Sequence, residues 1–138
     1  MNQDDFFRQE LIKELRRIAI VMKKEDDPER KLYLFSASYG VAARTYRYSF
    51  SKHYLLAEFV LNTAYTAIGD RIQRIKSGDP TVEIAEEHFE KLQSAVASLA
   101  DAFETDESVL EPLETILAIA FSTSGAGNYL KEKGMLEL

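Results

Sequence analysis

The residues best equipped for chemistry lie in one short stretch, Arg44-Thr-Tyr-Arg47-Tyr48-Ser-Phe-Ser-Lys52-His53-Tyr54. Guanidinium groups offer forked donors that match phosphate or carboxylate oxygens, and aromatic rings offer flat faces on which a base can stack. Arg44, Arg47, Tyr48, Lys52 and His53 are therefore the candidate binding residues, for an anion or a nucleotide. The same residues have a plainer use: cations can pair with acids inside the fold, and tyrosines can pack in a core.

Arg47 and His53 are separated by five intervening residues, 48–52. This resembles the spacing of arginine, four to six residues, then histidine in HEPN domains, helical bundles that include ribonucleases and nucleotide-binding members. The resemblance covers residues 47–53. It implies phosphate binding by Arg47 and an acid or base role for His53.

Other constellations are incomplete. Glu58, Asn62, Tyr65 and Gly69 share a narrow helical stripe, but no Glu-x-x-His pair accompanies them, as a carboxylate-bridged metal bundle requires. Gly125 and Gly127, between Ser122 and Asn128, could cradle a phosphate, yet the Gly-Lys-Ser/Thr of a Walker loop is missing and a helix precedes them. They read as a helix C-terminal cap. Neither a metal nor a cofactor is expected, and no complete catalytic set nominates an enzyme.

Charges are sorted along the chain. Between Glu29 and Glu58 the only charged side chains besides histidine are Arg30, Lys31, Arg44, Arg47 and Lys52. Between Lys91 and Lys131 they are Asp101, Glu104, Asp106, Glu107, Glu111 and Glu114. A net charge of −6 argues against a general nucleic-acid coat, which needs a cationic surface, but leaves room for a local cationic site. The chain has no cysteine, so disulfides, thiolate metal sites and cysteine nucleophiles are excluded together.

The 138 residues suit one domain, 1–138, with enough chain to bury a core. The acidic start, Met1 to Asp5, lacks the layout of a secretory signal. The longest apolar stretch, Tyr54 to Ile68, is interrupted by Glu58 and Asn62 and falls short of the roughly 20 residues that span a bilayer. A soluble, cytoplasmic protein is expected, and its abundance of Lys, Arg and Glu resembles a thermophile's composition.

The elements that must position these residues read as helices throughout. Phe7, Leu11, Leu15, Ile18 and Met22 step along one helical face. Asp27-Pro28 is a cap followed by a first helical residue, so a second helix runs from Pro28 to about Tyr48. A third runs from about Ser51 to Lys76. Joined, the two would be about 73 Å long, far beyond a domain whose radius of gyration is about 14 Å, so a break is required. Hydroxyl capping at Ser49-Phe50-Ser51 supplies it.

A fourth helix starts between Thr81 and Ala85, with Phe89, Leu92, Val96, Leu99 and Phe103 as a narrow seam. After a turn at Thr105-Asp106, a fifth covers about Glu107 to Phe121, with Pro112 tolerable near its first turn. A short C-terminal helix takes in Asn128 to Lys133. The expected fold is all-α: an antiparallel up-down bundle of four main helices, a fifth, and the short C-terminal one. The third helix, apolar nearly all round, is expected at its centre.

Alternating directions bring the turns at 49–51 and 105–106 to the same end. Arg44, Arg47 and Lys52 should then face Asp4, Asp5, Glu104, Asp106 and Glu107. The functional expectation is a non-catalytic bundle that acts through protein–protein contacts and self-associates, with the Phe89–Phe103 seam available to a partner helix. The alternative is a HEPN-like bundle that binds a nucleotide or RNA, as a ribonuclease would, through residues 44–54.

Overall fold

The computed structural model describes residues 3–122. These form five helices: α1 (Gln3–Lys24), α2 (Pro28–Ser49), α3 (Lys52–Lys76), α4 (Glu86–Thr105) and α5 (Leu110–Ser122). The glycine pair at 125 and 127 and the C-terminal helix expected at 128–133 lie outside the described residues.

Local chemistry explains most boundaries. Asp27 caps α2, its side chain accepting from the Arg30 backbone N–H at 3.0 Å, and Pro28 opens the helix. The break before α3 lies where the sequence places it, but by a different device. Phe50 adopts a left-handed conformation (φ 56°) and donates its N–H to the Tyr46 carbonyl. Ser51 then caps α3 by accepting from the His53 N–H at 3.3 Å. Ser49, expected to share in the capping, instead has a buried hydroxyl without a hydrogen bond.

α5 starts later than the sequence suggests. Asp106 closes α4 in a left-handed conformation (φ 58°), and the Glu107 N–H donates to the Ala102 carbonyl, so both residues belong to the end of α4. Pro112 falls in the first turn of α5, where its missing N–H costs nothing.

α1 packs against α2 and α4, α2 also against α3, and α5 closes the bundle between α3 and α4. Directions follow from cross-helix contacts. Arg8, near the start of α1, donates to the Glu104 carbonyl near the end of α4 at 3.4 Å, and Phe7 stacks on Tyr48 near the end of α2, so both helices end where α1 begins. Five alternating helices in a closed ring must include one parallel pair, and here it is α3 with α5.

The core draws on every helix: Leu11, Leu15 and Met22 from α1, Phe35 from α2, Leu61 and Ile68 from α3, Leu92, Val96 and Leu99 from α4, Leu113 and Ile116 from α5. Each such side chain contributes roughly 1.5–3 kcal/mol when fully buried. The Phe89–Phe103 seam is entirely buried in this core and is not available to a partner.

α3 is not central. Its backbone runs beside α2 and α5 and not beside α1 or α4, meeting α4 only where Tyr54 stacks on Phe103 among the described aromatic contacts, and its outward face carries exposed Leu55, Phe59 and Tyr65. The polar residues on that face satisfy themselves: Thr63 and Thr66 donate to the Phe59 and Asn62 carbonyls.

Candidate docking groove

The basic stretch singled out in the sequence is divided between two uses. The Arg44 guanidinium grips Glu14 of α1 through both terminal nitrogens, at 2.9 and 3.3 Å. The pair is partly exposed and contributes on the order of 1 kcal/mol or less. Tyr48 lies flat on Phe7 of α1, ring centroids 4.5 Å apart and planes 4° from parallel. Both side chains thus fasten α2 to α1.

Arg47, Lys52 and His53 remain exposed, and none joins an ion pair among the described residues. Of these, Lys52 and His53 reach the groove described below, while Arg47 does not line it.

The anionic segment is divided likewise, though not as its charge pattern suggests. Asp101 and Glu104 go to Arg16 of α1, at 2.9 and 2.8 Å, and not to α2 or α3. Hydrogen bonding to Arg16 and its nearby charge hold the Glu104 carboxyl below its ordinary value, while both acids raise the Arg16 guanidinium. Asp106 and Glu107 form no ion pair among the described residues.

The two turns do come to the same end of the bundle. There Ser51, Lys52 and His53 face Asp106 to Leu110 across a groove of about 1090 Å³, with Arg8 of α1 at its edge. Tyr54 and Phe103 stack at its base, centroids 5.4 Å apart, over buried Val109. The walls are apolar and open: Phe59 is 70 % exposed, Leu110 53 % and Leu55 45 %.

Burial pushes the Tyr54 phenol up, Asp4, Asp106 and Asp5 add to the rise, and Arg8 opposes it. The hydroxyl therefore stays protonated and is no nucleophile at neutral pH. Among the described residues the His53 imidazole makes no hydrogen bond to an acid or a nucleophile; only its backbone N–H is engaged, by the capping Ser51 hydroxyl.

The sequence reading found Lys52 and His53 but missed Phe59, Leu110 and Val109. One signal for them was present, the excess of apolar residues around α3, since a helix covered on only one side has no use for Leu55 and Phe59 on the other. A second charged residue also escaped it. Arg71 is buried at the far end of α3, where burial depresses its guanidinium and Glu83 and Asp79 of the 77–85 connection offset that effect.

An apolar floor with cations on one rim and acids on the other suits the side of another protein better than a reacting small molecule. No helix among the described residues is long and apolar enough to cross a membrane. Compared with known proteins, the chain matches no family model, and no curated protein or solved structure is significantly similar to it.

Proposed function

We propose that the chain is a non-catalytic helical bundle that works through protein–protein contact and self-associates through the groove between α3 and the α4–α5 turn. One observation carries this reading: Phe59, Leu55 and Leu110 stand exposed together around one groove, whereas other exposed apolar side chains, such as Ile20, Tyr33 and Phe50, do not line it. Isolated surface apolar residues need no explanation, whereas a contiguous apolar patch with a polar rim marks an interaction site.

Sedimentation equilibrium tests it. The wild type is expected to dimerise in the micromolar range. Phe59→Asp places a charge at the centre of the patch and should weaken association at least about tenfold, since burying one such ring is worth roughly 1.5–3 kcal/mol. Phe59 faces solvent, so the variant should keep its fold.

A second reading keeps the HEPN-like nucleotide or RNA site, reduced to Arg47, Lys52 and His53 because Arg44 and Tyr48 are engaged with α1. Its support is the exposure of those three side chains near one helix turn. Failure to retain single-stranded RNA at low salt, where phosphate contacts are strongest, would remove it.

A further inference from the structure

How two copies meet can be read from the charges on the groove, and this step rests on the self-association just proposed. Because α3 and α5 run in the same direction, the groove between them has two unlike walls at one end of the bundle. The α3 wall begins with Lys52 and continues through Leu55 and Phe59; the opposite wall carries Asp106, Glu107 and Leu110. No ion pair involves Lys52, Asp106 or Glu107 among the described residues.

Lys52 is also poorly placed within its own subunit. It is the first residue of α3, and that turn has no acid, so a cation sits at the positive end of the helix dipole. An acid arriving from outside would relieve it.

We infer that two copies of the chain pair face to face about a two-fold axis running along the groove, so that each Lys52 meets Glu107 of the second copy. Such an axis exchanges the two walls: the α3 wall of one copy lies over the α5 wall of the other, Phe59 and Leu55 pack on Leu110, and opposite charges face each other at both rims. An axis across the helices would instead set Lys52 against the middle of α3, near Asn62 and Thr63, and leave Asp106 and Glu107 without a counter-charge.

Cross-mixing of charge-reversal variants tests this arrangement. An exposed pair is worth about twofold in affinity; reversing one charge removes the attraction and adds repulsion, and the symmetry does so twice, giving about sixteenfold in all, an order of magnitude. Lys52→Glu and Glu107→Lys should each dimerise about tenfold more weakly than wild type in low salt. Mixed in equal amounts they should form a heterodimer within about threefold of wild-type affinity, because both rims are again complementary. In molar salt the differences should shrink, as screening requires.

Lys52→Glu also favours the α3 dipole, so weaker dimerisation cannot be put down to a damaged helix. The neutral variants Lys52→Gln and Glu107→Gln, each expected to weaken association about fourfold, provide a check that reverses no charge. A wild-type dimer whose two reversed variants associate no better together than apart would overturn this arrangement and leave self-association standing. A wild type that stays monomeric would overturn both.

Discussion

The break between α2 and α3 rests on a phenylalanine in a conformation that favours glycine, and that makes residue 50 a sensitive probe. Comparing Phe50→Gly with Phe50→Ala removes the ring in both cases, including its edge-on contact with Tyr46 at 6.1 Å, so ring losses cancel. What remains is the backbone. A left-handed conformation costs an L-residue about 1–2 kcal/mol and glycine essentially nothing. Glycine loses about 0.5–1 kcal/mol through its freer unfolded chain. At φ 56° the glycine variant should therefore be the more stable by about 0.5–1 kcal/mol.

In a continuous helix the order would reverse, with alanine ahead by about 0.5–1 kcal/mol. The assay is reversible thermal unfolding followed by circular dichroism, at a concentration low enough that association does not add to stability. For a chain of this size the glycine variant should melt about 2–4 °C higher. An alanine variant that melts higher would refute a left-handed cap at residue 50.

Two further outcomes can be measured on the same samples. Gly40 lies within α2, where an added methyl group would meet nothing within 4 Å, so Gly40→Ala should stabilise by about 0.5–1 kcal/mol. A destabilised variant would mean that the helix surface there is covered. The stability that Arg16 confers should also depend on pH. Glu104 has a folded value depressed below its ordinary 4.5, so its contribution is present above that value and is lost as pH falls through the folded one. The stability gap between wild type and Arg16→Met should therefore be open at pH 7 and close on acidification below about 4.5; a gap that widened in acid would contradict the pairing.

Much of the fold was legible because it is decided locally. Asp27-Pro28 names its own boundary, and the Leu11, Leu15, Ile18 and Met22 face of α1 is buried as its spacing requires. The break near residue 50 was forced by length alone. Its device was not legible, since no propensity places a phenylalanine in the left-handed region.

Tertiary placement was harder to read. α3 looked central because it is apolar nearly all round, but apolar composition does not say what covers each face. Its described neighbours, α2 and α5, leave an outer stripe of α3 with Leu55, Phe59 and Tyr65 exposed. Alternating helix directions do bring the two turns to one end, yet the partners of Arg44, Asp101 and Glu104 are Glu14 and Arg16 of α1, whose mixed charges gave no such signal. The groove followed the same rule. Lys52 and His53 were visible as charged residues near a turn, whereas Leu110 and Glu107 join them only because α5 returns beside α3 in parallel.

The most direct test is the oligomeric state of the unmodified chain and of Phe59→Asp, measured side by side by sedimentation equilibrium from about 1 to 100 µM, a range set by the affinity that such a patch can supply. A wild-type dimer that dissociates on dilution, with a folded and monomeric Phe59→Asp variant, is the predicted result. A folded wild type that stays monomeric throughout, or a variant that dimerises as well as wild type, would contradict the role assigned to the groove.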